Sequence, residues 1–208
     1  MAEISGTENK ILMQQARESL KGKWGLAVGT FFVYMLILIV IQIIPKAGPI
    51  LSLLISGPMI VGLSIFSLAI SRNQNPQFSQ LFDGFKKFGV SLGAYLLYLI
   101  FVLLWTILLI IPGIIAALSY SMTFFIIAED DSIGPLEAIK KSKQMMYGYK
   151  WKIFCFYLRF LGWALLCILT VGIGFLWFVP YISVSFAKFY DDLLNLTGSL
   201  AKVEQTAL

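Results

Sequence analysis

Arg159 is the one ionisable residue set well inside an apolar stretch, which runs from Trp151 to Thr170. It stands eight residues past Trp151, a rise of about 12 Å on a helix. A charge at mid-helix in a bilayer costs on the order of 2.5–3.5 kcal/mol on insertion scales, and less near an end. Such a residue faces a bundle, pairs with a carboxylate, or snorkels to the edge. Glu129, Asp130, Asp131 and Asp191 are the expected partners. Without one of them, the guanidinium suits an anion or a lipid phosphate. Pro58, in Ser56-Gly57-Pro58, and Pro180, before Tyr181, are the other candidate binding residues. Each interrupts the second apolar stretch of a pair, and interruptions at matching positions can frame a site. A proline also bends a helix for architectural reasons alone. In the remaining pair Ser119, Tyr120 and Ser121 stand where a proline would match.

Other chemistries lack their residues. The chain has no histidine, which removes Ser-His-Asp and Cys-His catalysis and imidazole switching. Cys155 and Cys167 fall in one apolar stretch, about 18 Å apart if helical, too far for a disulfide bond. Two cysteines without histidine make a poor metal site. Phosphate-loop, dinucleotide and nucleophile-elbow patterns are missing from the sequence. The Glu129-Asp130-Asp131 run reads as a helix end exposed at a membrane surface. No carboxylate lies deep in an apolar stretch, which weighs against a proton-coupled carrier. The expectation is no catalytic residue, no metal, no cofactor and no enzymatic activity.

The elements that must position Arg159 follow from composition. The 208 residues are 59% hydrophobic and 13% charged, with mean hydropathy +0.84. A soluble domain is about 45–50% apolar and about 25% charged, so the chain reads as an all-α membrane helix bundle. Six apolar stretches run over 24–44, 50–70, 88–111, 112–128, 151–170 and 174–189, each close to the roughly 20 residues a span needs. The mostly polar opening of about 23 residues is not expected to be a secretory signal, whose apolar core would stand nearer the start. Fourteen Lys and Arg flank one side, in the N-terminal segment, between stretches two and three, between four and five, and at the C-terminal end; Lys46 stands alone on the other. The positive-inside rule then puts both termini in the cytoplasm. The net charge of +5 is thereby spent at a membrane surface rather than on nucleic acid.

The stretches repeat. Trp24, Phe88 and Trp151 align at spacings of 64 and 63 residues. Each opens a helical hairpin after a short basic amphipathic segment, with turns at PKAG around Lys46, IIPG at 110–113 and TVGIG at 170–174. The units cover about 8–71, 78–128 and 135–191 of one domain, followed by a polar tail over 192–208. In the first segment Ile11, Leu12, Ala16 and Leu20 share a face. In the second, Ser79 caps a helix carrying Leu81, Phe82, Phe85 and Phe88. In the third, Leu136, Ile139 and Met146 form the stripe, after Gly134-Pro135. Lysines beside such stripes attract anionic lipid at about 1 kcal/mol each.

The runs LFDGFKKFG (81–89), IIPGIIAALSYSMTFFIIAED (110–130), IGPLEAIKKSKQMM (133–146) and LGWALLCILTVGIGFLWFVPY (161–181), with ARESLKGKWG at 16–25, resemble the DUF975 family of bacterial integral membrane proteins. The resemblance implies a multi-spanning membrane protein and supplies no catalytic residues. A looser similarity to the membrane domains of some glycerophosphodiesterases carries no catalytic domain here. The function expected is that of an accessory or scaffold protein binding a membrane partner or anionic lipid. The alternative is transport of a small amphiphile, peptide or lipid.

Overall fold

A computed structural model describes residues 6–170 and 172–206, with side chains as far as residue 197. The helices are α1 (Asn9–Ser19), α2 (Trp24–Gln42), α3 (Gly48–Ser71), a 3-10 helix (Phe78–Lys87), α4 (Phe88–Leu108), α5 (Ile110–Ser119), α6 (Thr123–Glu129), α7 (Pro135–Met145), α8 (Lys150–Leu169) and α9 (Phe175–Thr206). There is no strand among the described residues. The segment expected as a polar tail from 192 continues α9; residues 207 and 208, and the side chain of Lys202, lie outside the described residues.

Among the described residues five helical stretches are long and apolar enough to cross a membrane: Trp24–Gln42, Gly48–Ser71, Phe78–Leu108, Ile110–Glu129 and Lys150–Leu169. The sixth expected stretch is helical within α9, but its apolar run ends at Lys188, with Asp191 and Asp192 close behind. Burial divides the five. α3 has 61% of its apolar window buried and α5–α6 50%, against 22% for α2, 11% for the stretch containing α4 and 22% for α8. The second helix of each of the first two hairpins is therefore inside, and the first outside. The outer helices expose Ile39, Val40, Leu103, Leu104, Leu165 and Leu166, among many others. At roughly 25 cal/mol per Å² of apolar surface, such a coat is stable only in an apolar solvent. Hydroxyls within these helices turn inward to their own backbone: Thr30 donates to the Leu26 carbonyl, Ser64 to Ile60, Thr106 to Val102 and Ser119 to Ile115. Lipid offers them no other partner.

The segments before each hairpin differ from the sequence pattern. Residues 78–87 form a 3-10 helix rather than an α-helix, and Ser79 does not cap it. Gln77 and Gln80 close a capping box instead. At three residues per turn, Leu81 and Gly84 fall in one row, and these are its buried residues. Their row lies backbone-to-backbone on α3, where a Cβ on Gly84 would strike the Pro58 carbonyl and one on Gly62 the Leu81 carbonyl. α1 buries Leu12, Ala16 and Ser19, with Leu20 buried just past its end, but turns Ile11 outward; α7 buries Ala138, Ile139, Ser142 and Met145 and turns Leu136 outward. Both α1 and α7 turn into the next helix through a left-handed glycine, Gly22 (φ 77°) and Gly148 (φ 85°).

The second hairpin turns at Leu109 alone, which is extended (φ −162°, ψ 141°). Pro112 and Gly113 of the expected turn lie inside α5. The inner arm of this hairpin is broken at residues 120–122, without a proline. Ser142 of α7 stitches the break: its hydroxyl donates to the Ser119 carbonyl (2.9 Å) and accepts from the Met122 amide (3.2 Å).

Candidate functional site

Arg159 does not meet the carboxylates expected for it. Those are held at one end of the bundle by other residues. Arg72, just past α3, reaches Glu129 (2.5 Å) and Asp191 (2.7 Å). Ser71 also donates to Asp191 (2.7 Å), and Tyr190 donates to Glu129 (2.7 Å). Burial and this bond to Glu129 push the Tyr190 phenol up, while the two carboxylates hold Arg72 in its charged form despite partial burial. Asp131 pairs with Lys87, whose ammonium also donates to the Ile127 carbonyl at the end of α6 (2.6 Å). The Asp130 carboxylate accepts from the Ser132 hydroxyl and amide, which lowers its pKa below the usual carboxylate range. Asp192 accepts from Lys152 (2.7 Å) and from the Thr7 hydroxyl (2.5 Å). The acidic run and the Asp191-Asp192 pair thus fasten the ends of α3 and α6 and the start of α8 to the middle of α9.

Arg159 points elsewhere, into an exposed cleft of about 820 Å³ between α1 and α8. Lys10, Arg17 and Lys21 of the N-terminal segment line it with Trp163 and Tyr181. None of these four cations is in an ion pair among the described residues. Glu18 is the one carboxylate in the lining, and it accepts from Gln14 (3.1 Å). The sequence marked Arg159 and missed its companions. Their signal was the spacing 10, 14, 17, 21, a polar stripe at helical period opposite Leu12, Ala16 and Leu20. α1 is fixed on the bundle where the Tyr181 hydroxyl donates to the Met13 carbonyl (3.2 Å) and the Asn9 amide to the Lys152 carbonyl (2.9 Å).

A second, apolar groove of about 420 Å³ adjoins the cleft and shares Arg17, Trp163 and Tyr181 with it. Trp24, Leu166, Cys167 and Trp177 line it, and it reaches Thr170 and Gly174 at the far turn. Cys155 and Cys167 are both free thiols.

Pro58 and Pro180 are both buried and line none of these spaces. Pro58 lies at the crossing with the 3-10 helix, where Gly84 approaches its carbonyl; Pro180 lies beside Tyr181 inside an unbroken α9. A smaller cavity of about 220 Å³ lies among the inner helices, lined by Ser64, Ser67, Ser121, Ser183 and Tyr157. Ser67 Oγ is buried there without a hydrogen-bond partner.

A family model described as a protein of unknown function, DUF975, matches residues 1–117 and 106–197. The chain belongs to the DUF975 family. No curated protein and no solved structure matches it. For this DUF975 protein, functional argument rests on the chemistry of its own side chains, and the cationic cleft is where unspent charge collects.

Proposed function

We propose that this DUF975 protein is a multi-pass membrane protein without enzymatic activity, an accessory protein that holds an anionic lipid at its cytoplasmic side. One observation carries the reading: Arg159 converges with Lys10, Arg17 and Lys21 on one cleft and has no ion-pair partner among the described residues. Four cations around the single carboxylate of Glu18 leave net positive charge in the cleft, which is unfavourable unless a counter-ion joins them, and a lipid phosphate supplies one. Native mass spectrometry of protein released from phosphatidylglycerol–phosphatidylcholine nanodiscs tests it. Wild type should retain phosphatidylglycerol selectively, and R159Q with R17Q should lower the retained fraction at least tenfold. Equal retention of the two lipids by wild type overturns the reading.

Six crossings, with both termini cytoplasmic, accord with this site. The Thr7–Asp192 bond holds the segment before α1 beside α9 just past its apolar run, and a chain that returns to the side it started from has crossed an even number of times. Threefold repetition accords with the inner cavity, where Ile60, Ser121 and Ser183 recur at intervals of 61 and 62, as do Leu63, Phe124 and Phe186. A second reading, movement of the lipid between leaflets, draws on the groove's reach from the cleft to Thr170 and Gly174. It requires lipid flux in reconstituted liposomes that falls in R159L; flux equal to that of protein-free liposomes sinks it.

A further inference from the structure

We propose that cleft and groove are one two-part site, in which the headgroup phosphate of an anionic phospholipid rests on Arg17 and Arg159 while one acyl chain lies in the groove along α8 and α9. The proposal rests on the lipid-binding reading and adds the seat of the chain.

Continuity is the first support. The two spaces share Arg17, Trp163 and Tyr181 and so adjoin, which places the groove beside a ligand anchored by the guanidinium groups. The change in chemistry along it is the second. Four cations line the cleft, whereas the groove is walled by Trp24, Leu166, Trp177 and Phe178, with Arg17 its one charged residue. That polarity is complementary to an amphiphile and to neither a free phosphate nor a neutral lipid. Length is the third. Along α8, from Arg159 to Thr170, the rise is about 16 Å, against about 15 Å for half of a bilayer's hydrocarbon core. The groove therefore has the reach of one extended chain. Because Arg159 lies within α8 rather than at its end, the bound headgroup sits deeper than those of the surrounding bilayer.

The groove carries its own reporters. Trp24, Trp163 and Trp177 line it, while the other two tryptophans, Trp105 and Trp151, line neither the groove nor the cleft. With W105F and W151F removing those two, the remaining fluorescence reports the groove. The variant is reconstituted in phosphatidylcholine bilayers holding a small mole fraction of phosphatidylglycerol brominated on its acyl chains. Quenching should saturate at a few mole per cent, severalfold above that from chain-brominated phosphatidylcholine at the same fraction. R17Q with R159Q should return it to the phosphatidylcholine level. Equal quenching by the two brominated lipids overturns the proposal, because the groove is then ordinary lipid-facing surface. Excess quenching that survives loss of both arginines also overturns it, since headgroup and chain are then not one site. Selective retention of phosphatidylglycerol in the mass spectrometer without excess quenching leaves the headgroup reading standing and removes the chain seat alone. Failure of both measurements removes both.

Discussion

Single side chains decide where this bundle is closed and where it stays open. Ser142 is the closing example. It is fully buried and answers two backbone groups that the break between α5 and α6 leaves without helical partners. In S142A the Ser119 carbonyl and Met122 amide lose that partner, and stranding a buried polar group costs about 1–3 kcal/mol. The variant should unfold at lower temperature or denaturant in detergent, with faster amide exchange at Met122. An unchanged midpoint would mean that the break is held by something else. Arg159 is the open example. Its rarity was legible in the sequence, since no other ionisable residue lies so deep in an apolar stretch. Its carboxylate partners were misread because lying at the ends of neighbouring apolar stretches says nothing about which side of the bundle α8 presents. Glu129, at the end of α6, and Asp191, midway along α9, both meet Arg72, so Arg159 is left to the α1 side.

At the level of elements, hydropathy delivers the apolar stretches but not their interruptions. Pro58 and Pro180 advertised breaks and sit in continuous helices, whereas Ser119-Tyr120-Ser121 advertised nothing and adjoins a real one. A proline costs a helix one hydrogen bond, which a long packed helix absorbs. The break in the second hairpin depends on Ser142, twenty residues or more away in sequence, and no local pattern encodes it. The 3-10 helix was misread for a similar reason. Leu81, Phe82, Phe85 and Phe88 suit an α-helical face equally well, and what selects the tighter winding is the row of Leu81 and Gly84 pressed on α3. G84A tests that contact. Its Cβ would collide with the Pro58 carbonyl, and backbone cannot rotate away as a side chain can. Overpacking costs typically about 1–3 kcal/mol, and loss at the upper end of that range is expected in detergent unfolding. G89A, a helical glycine with open space around it, should instead gain up to about 1 kcal/mol from helix propensity. Equal losses at the two sites would refute the packing account.

For the whole molecule, charge and shape point the same way. The ion pairs of Arg72, Lys87 and Lys152 tie helix ends at one pole of the bundle, and partly exposed pairs of this kind contribute up to about 1 kcal/mol each. Their larger consequence is topological, since they collect the charged connections on one side and leave Lys46 on the other. On the proposed six-span reading, α9 is the helix whose crossing hydropathy understates. Its run from Phe175 to Ala187 rises about 20 Å, short of the roughly 30 Å core, and Ser183, Ser185 and Lys188 follow within or just after it. α9 packs against α1, α2, α3 and α8, so its polar side chains need not face lipid: Ser185 donates to the Tyr181 carbonyl and Lys188 to that of Ser71. A helix shielded in this way can cross with a shorter apolar run than an exposed one. Cysteine accessibility decides the matter. In a background of C155S and C167S, K46C should react with a membrane-impermeant maleimide on intact cells, while S132C and T7C should react only after permeabilisation. A cysteine at Asn195, exposed on α9 beyond Asp192, is the decisive position. Labelling of N195C only after permeabilisation gives α9 as a sixth crossing. Labelling on intact cells while T7C stays protected would place Thr7 and Asn195 on opposite faces, which the Thr7–Asp192 bond does not permit, and the six-span topology would fall with the packing of α1 against α9.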